Sequence, residues 1–219
     1  MPNRVAVIGA GGFVGGAIRK KLSAEGVNTL ALTRKEINLL ADGAAEKLQE
    51  LLQPTDSVVM VSAVAPAKTI SDLMQNLKRA EAVCNALSAA TIAHLVYISS
   101  DAVYADDANP VNERSYCAPS TIHGMMHAAR ELMLKSSTRA PFAALRPSLL
   151  YGAADPHNGY GPNRFRRQAA KGEPITLFGE GEEKRDHVAV EDVAAIASLV
   201  LAHRSAGVLN VATGVSISF

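Results

Sequence analysis

The sequence predicts an α/β fold, in which a doubly wound parallel sheet carries helices on both faces. Short runs of apolar and β-branched residues alternate along the chain with longer stretches whose apolar residues recur at helical spacing. Such alternation is typical of βαβ units, in which the strands run parallel. The short runs are apolar throughout rather than at every second position, which indicates strands that are covered on both faces.

The predicted elements follow one another in regular order. The predicted strands are residues 5–8, 29–32, 58–61, 95–98, 142–145 and 209–211. The predicted helices are residues 13–22, 44–52, 73–87, 120–135 and 190–203. Glycine and proline recur at short intervals between Pro147 and Asp186, so a loop-rich segment is expected there. We therefore expect a single domain over residues 1–219, with a small lobe built mainly from residues 147–186 and 206–219.

Composition excludes several classes of protein. The 219 residues are 48% hydrophobic and 20% charged, which is enough for a buried core. The formal net charge of +1 gives no bulk attraction to nucleic acid or to an anionic membrane surface. No apolar stretch reaches the roughly 20 residues of a membrane-spanning helix, and no signal peptide precedes the first strand. We therefore expect neither a nucleic-acid partner nor a membrane partner.

The cysteines and histidines do not show the spacing of a metal centre. Cys84 and Cys117 lie outside any Cys-x-x-Cys pair, which argues against a zinc site and a disulfide framework. Reduced thiols fit the cytoplasm, where we expect the protein to reside. His123 and His127 have the spacing of two zinc ligands on a helix, but Gly124 stands where a metalloprotease helix needs glutamate. No metal site is expected.

A glycine-rich turn joins the first strand to the first helix. The spacing Gly-x-x-Gly-x-x-Gly lets the turn close, lets the backbone approach a pyrophosphate and lets the helix pack on the sheet. The N–H groups at the helix start then attract phosphate. After the first strand of a βαβ series, the pattern predicts a Rossmann-like dinucleotide site, the alternative being glycines that serve only a tight turn. The predicted dinucleotide contacts are Gly9, Gly12, Phe13, Val14 and Gly15.

The end of the second strand favours NADP over NAD. An acidic residue often holds the ribose hydroxyls of NAD at this position. Here the sequence reads Thr33-Arg34-Lys35, with two cations and no acid. Arg34, together with Thr33, is suited to the 2′-phosphate of NADP. The alternatives are that NAD binds and that Arg34 and Lys35 are simply solvated.

Three further motifs carry a family resemblance. They are residues 96–104 (Val-Tyr-Ile-Ser-Ser-Asp-Ala-Val-Tyr), residues 145–152 (Leu-Arg-Pro-Ser-Leu-Leu-Tyr-Gly) and residues 179–188 (Gly-Glu-Gly-Glu-Glu-Lys-Arg-Asp-His-Val). With the glycine turn, they make nearly the whole chain resemble the extended short-chain dehydrogenases/reductases, in particular the NAD(P)-dependent sugar epimerase/dehydratase group. The resemblance implies an oxidoreductase or epimerase that acts on a nucleotide-linked sugar or similar polyol, and a homodimer. The last residues resemble the middle of a substrate-side lobe, so the chain is expected to be cut short at its C-terminus.

The resemblance also assigns site residues. Ser100, four residues before Tyr104, matches a serine that takes part in catalysis, and Asn76 matches an asparagine of the preceding helix. The further cofactor contacts that the resemblance implies are Ala63, Ser99, Pro147 and Ser148. Asn163 and Arg185 match substrate-side residues, and in relatives the arginine holds the pyrophosphate of a nucleotide-sugar.

The resemblance breaks at the Tyr-x-x-x-Lys signature of the family. The flanking proline, glycine and later glutamate are present, but His123 stands for the tyrosine and His127 for the lysine. Imidazole transfers protons near neutral pH, so His123 is predicted to be the acid/base, with His127 on the same helical face and Ser100 at the same substrate oxygen. Two alternatives remain. One is an NAD(P)-binding scaffold or sensor with little or no turnover, and the other is a serine hydrolase, which the missing glycines around Ser100 disfavour.

Overall fold

The computed structural model describes residues 1–105 and 110–219, which contain six α-helices and nine strands. The helices are α1 (Phe13–Ala24), α2 (Ala44–Leu51), α3 (Ile70–Ala89), α4 (Ile122–Ser136), α5 (Pro162–Lys171) and α6 (Val190–His203). The strands are β1 (Arg4–Ile8), β2 (Thr29–Leu32), β3 (Asp56–Met60), β4 (His94–Ile98), β5 (Phe142–Pro147), β6 (Leu149–Tyr151), β7 (Lys184–Ala189), β8 (Gly207–Val211) and β9 (Ser216–Ser218). The described helices lack the combination of length and apolarity that crossing a bilayer demands.

Six parallel strands form the large sheet, in the order β2-β1-β3-β4-β5-β8. The strand order reverses between β1 and β3, so the chain winds outwards in both directions from β1. This arrangement confirms the predicted α/β, doubly wound parallel sheet. It also brings the carboxyl ends of all six strands to one edge, which is where ligands bind in such folds.

The core lies in two layers, one on each face of the large sheet. Along β1, Val5 and Val7 pack on one face, among buried residues of α1 and α6. Ala6 and Ile8 point to the opposite face, among buried residues of α2, α3 and α4. Successive strand side chains alternate between faces, and both faces are covered, so the strands are apolar at every position. The uninterrupted apolar runs therefore reflect helices on both sides.

A small sheet is formed by β6, β7 and β9. Residues 147–186 are mostly loop, as predicted, but β6, α5 and the beginning of β7 also lie within them. Three of the glycines and prolines in this segment mark the ends of α5. Gly161 and Pro162 begin the helix, and Gly172, with a φ of 67°, ends it in the left-handed conformation. Residues 207–211, expected in the small lobe, form the edge strand of the large sheet.

Asp186 of β7 connects the two sheets. Its carboxylate accepts a hydrogen bond from the Ser148 hydroxyl at 2.8 Å, directly after β5. It also accepts hydrogen bonds from the backbone N–H groups of Thr213, Gly214 and Val215, after β8, and from the Thr213 hydroxyl. These bonds lower the pKa of Asp186, against the effect of its partial burial. Ser148, predicted to contact cofactor, therefore has its hydroxyl engaged in joining the sheets.

Candidate active site

The turn after β1 has a geometry that requires glycine. Gly9 has a φ of 98°, and a Cβ atom there would lie 2.6 Å from the backbone nitrogen of Ser62. A Cβ atom on Gly15 would overlap the carbonyl oxygen of Gly9. Both obstacles are backbone atoms, which cannot move aside as a flexible side chain can. The glycines therefore allow the start of α1 to approach the ends of β1 and β3 closely.

The first turn of α1 is suited to bind an anion. Gly12 is the N-cap residue and supplies no side-chain hydrogen bond to the helix. The first turn, which begins with Phe13 and Val14, contains no acidic residue. Free N–H groups and the positive end of the helix dipole attract phosphate at such a position. The predicted pyrophosphate contacts are thus together at one helix end.

A cavity of about 90 Å³ lies next to the glycine turn, at the carboxyl ends of β1, β2 and β3. It has an apolar part and a polar part. The apolar side chains include Ile8, Leu32, Ile37 and Leu39, and the polar side chains include Thr33, Arg34, Asn38 and Arg79. Gly9 and Ala63 also line it, so four residues predicted to contact the dinucleotide meet in one cavity. An apolar wall beside cationic groups suits an adenosine with an anionic substituent.

Arg79 is a cavity residue that sequence reasoning missed. It lies on the buried side of α3, three residues after Asn76, and only 7% of it is exposed. The sequence did hold a signal, because helical spacing places Arg79 on the same face as Asn76 and Val83. Arginine is rarely buried unless it is paired, so an arginine on the face of α3 that packs inward is a signal that could have been noticed.

Asn76, predicted to be catalytic, holds the loop after β3. Its Oδ1 accepts a hydrogen bond from the Val64 N–H at 2.8 Å. Its Nδ2 donates to the carbonyl oxygens of Val64 and Asp72, both at 2.9 Å. The fully buried amide is thus engaged by backbone groups. In this structure Asn76 acts on the cavity by positioning the loop that carries Ala63 and Val64.

The two serines after β4 have different environments. The buried Ser99 hydroxyl donates to Glu131 Oε1 at 2.5 Å. The Ser100 hydroxyl accepts from the Ala102 N–H at 3.2 Å, and it lies 3.1 Å from Asp101 Oδ1, to which it donates. Ser100 is only partly buried. Of the two residues, Ser100 therefore has the hydroxyl that a substrate can approach.

Glu131 fixes α4 against the sheet. Besides Ser99, it binds the Arg146 guanidinium of β5 through two hydrogen bonds, of 2.9 and 2.6 Å. Both side chains of this ion pair are nearly buried, with 11% and 5% exposed. Two parallel hydrogen bonds fix both distance and orientation. The helix that carries His123 and His127 is thus held at a defined position relative to β4 and β5.

His123 and His127 lie one helical turn apart on α4. Their ring centroids are 4.7 Å apart and the rings are nearly perpendicular. Burial lowers the pKa of His123. Burial holds the pKa of His127 well below its ordinary value, and the charge of Arg130 and that of His123, when it is protonated, lower it further. Both imidazoles are therefore neutral at pH 7.

Neighbouring groups determine which nitrogen of each imidazole carries the proton. The Ala67 N–H donates to His123 Nδ1 at 3.4 Å, which places the proton of the neutral ring on Nε2. The Tyr97 hydroxyl lies 2.7 Å from His127 Nδ1. Burial raises the pKa of Tyr97 to about 12, so the phenol keeps its proton. Because no other described residue accepts that proton, the phenol donates it to Nδ1 and His127 is protonated on Nε2 as well.

The predicted substrate-side residues differ in their availability. The buried Asn163 accepts from the Gly152 N–H at 3.0 Å and donates to the Leu150 carbonyl, so its amide holds the chain after β6. Arg185 is exposed and forms an ion pair with Glu183 at 2.7 Å. Loss of solvation on burial raises the pKa of Asp101. The hydrogen bond from Ser100 and the positive charge of Arg185 oppose that shift. Pro147, a predicted cofactor contact, is the last residue of β5 and is buried.

The comparison with protein families agrees with the geometry. The model of the NAD dependent epimerase/dehydratase family matches residues 5–212. This chain belongs to that family. The family resemblance and the enzyme class predicted from the sequence, an epimerase, dehydratase or reductase, are thereby confirmed, as is a nicotinamide cofactor. The match does not test the roles of His123 and His127.

Solved structures share the fold of this epimerase/dehydratase family member. UDP-N-acetylglucosamine 4-epimerase from Bacillus cereus is 26% identical, with a TM-score of 0.86, over 98% of this chain and 79% of the other. UDP-glucose 4-epimerase from Thermus thermophilus, in complex with NAD, is 24% identical with a TM-score of 0.85 and the same coverage. A dTDP-4-dehydrorhamnose reductase from Clostridium acetobutylicum is 17% identical, with a TM-score of 0.82, over 98% of this chain and 76% of the other.

The residues around the glycine turn fit the nicotinamide cofactor of the family. The turn brings two strand ends and the start of α1 so close together that a Cβ atom on Gly9 or Gly15 would collide with backbone. The adjacent cavity offers an apolar wall for adenine. Within residues 1–105 and 110–219, no three histidine, cysteine or acidic side chains gather as metal ligands would.

Proposed function

We propose that this protein is an NAD(P)-dependent epimerase or reductase of nucleotide-linked sugars, in which His123 and Ser100 bind the reacting oxygen of the sugar. One observation carries the proposal. The first turn of α4, which holds His123, packs against the turn that holds Ser100, so closely that Gly124 touches the Ala102 carbonyl oxygen. The names of the structural neighbours, which include UDP-sugar epimerases and a dTDP-sugar reductase, support the substrate class.

The cofactor we propose is NADP, with Arg34 at its 2′-phosphate. When bound, the nicotinamide supplies or takes up a hydride. Support for NADP comes from Arg34, which lines the cavity. Glu36, the nearest acid after β2, has its Oε2 atom bound by the hydroxyl and N–H of Thr33 at 2.5 and 2.9 Å, and it does not line the cavity. One neighbour is a complex with NAD, which makes NAD the alternative that binding experiments must test.

His123 acts in this proposal as a neutral hydrogen-bond donor to the reacting oxygen, in place of the acid/base role predicted from the sequence. The proton of the reacting hydroxyl passes to Ser100 Oγ as Ser100 passes its own proton to the Asp101 carboxylate, which lies 3.1 Å away. Reduction of a keto group uses the same transfer in reverse.

With Nδ1 of His123 engaged by Ala67, the Nε2–H group is the one left to face a substrate. A donor aimed at a developing oxyanion contributes about 10²–10³-fold to a rate. Protonation of Nδ1 would place its N–H group against the N–H group of Ala67, with no acceptor between them, so His123 favours the neutral form. His127, which is neutral and fixed by Tyr97, adds a second N–H donor instead of the charge of a lysine.

We expect His123→Phe to lower turnover by about 10²–10³-fold, because the donor is lost, and to leave the dissociation constant of the cofactor nearly unchanged. The wild-type rate should fall on acidification, with a midpoint below the ordinary imidazole pKa of about 6.5, since the neutral ring is the active form. The assay uses NMR to monitor the conversion of each substrate separately, in the presence of NADP(H) or NAD(H). The substrates are UDP-glucose, UDP-N-acetylglucosamine and dTDP-linked 4-keto sugars.

The matched control is His203→Phe, which changes an exposed histidine at the end of α6. A wild-type rate in His123→Phe would remove His123 from the site. If the cofactor binds but no sugar of the panel is converted, the alternative of an NAD(P)-binding scaffold or sensor is favoured. The homodimer, the cytoplasmic location and the division into one domain with a small lobe stay predictions.

A further inference from the structure

Arg79 is a buried cation for which the proposed chemistry has no use. Only 7% of the residue is exposed, and its Nη1 atom is buried without a hydrogen-bond partner. Among the described residues no carboxylate, hydroxyl or carbonyl group binds its guanidinium within hydrogen-bond distance. Burying a charge without a partner is costly, so such a group normally pairs with an anion. The protein itself supplies no such anion in the described part of the chain.

The surroundings of Arg79 increase this electrostatic cost. Burial lowers the pKa of Arg79, and the positive charges of Arg34 and Arg130 lower it further. Arg130 has partners within the protein, because its Nη2 atom donates to the Ser62 carbonyl at 2.7 Å and its guanidinium lies over the Tyr97 ring, although its Nε atom is buried without a partner. Arg34 and Arg79 line the same cavity of about 90 Å³, and its described lining contains no acidic residue. The cavity is thus a place of positive potential with two guanidinium groups available.

We propose that Arg79 and Arg34 together bind the 2′-phosphate of NADP, so that Arg79 is a specificity-determining residue for the cofactor. The inference rests on the proposed function, which places the adenosine half of the cofactor beside the glycine turn. A phosphate monoester carries up to two charges and several acceptor oxygens, which match two guanidinium groups. Arg34 approaches from the exposed end of β2, and Arg79 from the rigid helix α3. NAD would leave the buried charge of Arg79 without a partner.

The position of Arg79 on α3 supports a preformed site. Asn76, one turn earlier on the same helix, is fixed by hydrogen bonds to both backbone groups of Val64. Val64 lines the cavity as well, so the helix and the loop after β3 are joined beside Arg79. A guanidinium on such a support loses little conformational freedom when it binds a ligand. We therefore expect Arg79 to contribute as much to phosphate affinity as the more exposed Arg34.

The test uses adenosine 2′,5′-bisphosphate and AMP as probes, so it needs neither a sugar nor turnover. Isothermal titration calorimetry on the whole chain should show that the wild type binds the bisphosphate at least tenfold more tightly than AMP. Arg79→Gln should weaken the bisphosphate by about ten- to a hundredfold, the value of a charge-assisted contact, and leave AMP within about twofold. Arg79→Lys should retain part of the preference. Lys35→Gln, which removes an exposed neighbouring charge, is the matched control and should change little.

The outcomes separate the inference from the function on which it rests. If Arg34→Gln removes the preference for the bisphosphate and Arg79→Gln does not, the role of Arg79 is overturned while the choice of NADP stands. If the wild type binds both probes equally, the role of Arg79 and the choice of NADP are both overturned, and the sugar chemistry is still tested by its own assay. Arg79→Met is the control that separates a loss of phosphate binding from a loss of folding. It removes the buried charge with little change of volume, so it should melt no lower than the wild type and yet lose the preference.

Discussion

At Tyr97, one hydroxyl group fixes the protonation state of the candidate active site. The ring lies within β4 and is completely buried, and its hydroxyl has His127 Nδ1 as its partner at 2.7 Å. The hydrogen bond leaves His127 with a single N–H group, on Nε2. Where the family signature has a positively charged lysine, this chain therefore has a neutral donor of fixed orientation. This position can therefore stabilise a negative charge that develops on a substrate only through a hydrogen bond, and not through a positive charge of its own.

We predict that Tyr97→Phe releases the tautomer of His127. Without the phenol, Nδ1 is left buried and unpartnered, which should lower the free energy of unfolding by about 1–3 kcal/mol. The imidazole should then exchange between its two neutral forms. Two-bond ¹⁵N–¹H NMR spectra of the histidine rings report this directly, since the two nitrogens have distinct shifts in each tautomer. Tyr116→Phe, at a residue that is 89% exposed, is the control. Unchanged His127 shifts in Tyr97→Phe would contradict the assignment.

Some site residues were predictable from the sequence and others were not, for physical reasons. Gly9 and Gly15 follow a strand at a spacing typical of a close backbone approach to a dinucleotide, so their role could be predicted. Tyr97 looked like any apolar strand residue, because its partner lies 30 positions later and no local pattern links the two. Asn76 was predicted to be catalytic from a resemblance, whereas in the structure its side-chain amide binds backbone groups of the loop after β3.

At the scale of elements, α4 and the short turn after β4 make a contact on which the site depends. A Cβ atom on Gly124 would overlap the carbonyl oxygen of Ala102 and lie 2.7 Å from the Cβ of Pro119. Gly124 is the residue next to His123, and Ala102 is two residues after Ser100. The contact thus sets the distance between the two groups that we propose to bind the reacting oxygen. A larger residue at this position must push the helix and the turn apart.

We predict that Gly124→Ala lowers both stability and turnover. Overpacking of this kind costs about 1–3 kcal/mol, and the displaced His123 should lose turnover more than the cofactor loses affinity. Gly16→Ala is a matched control within α1, since its Cβ would meet only the Ala10 carbonyl oxygen at 3.9 Å. There the substitution should raise the free energy of unfolding by about 0.5–1 kcal/mol, because alanine favours the helix. Urea denaturation and the sugar assay measure both effects. Equal behaviour of the two variants would contradict the prediction.

The elements that the sequence predicted well are those with a long regular pattern. The predicted helix over residues 190–203 coincides with α6, and the predicted strand over residues 29–32 coincides with β2. The missed elements, β6, β7, α5 and β9, are short or polar, and β7 begins with three charged residues. Strands of three residues give no alternation to detect, and α5 is rich in arginine, with glycine at both ends. Such elements form through contacts with the rest of the molecule rather than through their own pattern.

At the scale of the whole molecule, buried histidines make stability depend on pH. Burial lowers the pKa of four histidines, namely His94, His123, His127 and His187. In the unfolded chain these residues take up protons near the ordinary pKa of about 6.5. Below that pH the unfolded state therefore binds more protons than the folded state. Stability rises with pH wherever the unfolded state binds more protons, so acidification destabilises this protein.

We predict that the free energy of unfolding falls steadily as the pH is lowered from about 7 to 5. The slope can reach about 1.4 kcal/mol per pH unit for each proton by which the two states differ. Urea denaturation at a series of pH values, at constant ionic strength, measures it. His127→Phe should reduce the slope, because it removes a histidine that is neutral in the folded state. A free energy of unfolding that is flat or increases on acidification would contradict the prediction.

The carboxylate of Asp186 has a consequence for how the molecule moves. It accepts five hydrogen bonds, from Ser148 after β5 and from the segment after β8, while its own strand belongs to the small sheet. Separating the sheets would strip one carboxylate of all these donors at once. The small sheet is therefore mechanically coupled to the ends of two strands of the large sheet. We expect the two sheets to fluctuate and to unfold as one cooperative unit, so that a ligand held by either sheet stabilises the other.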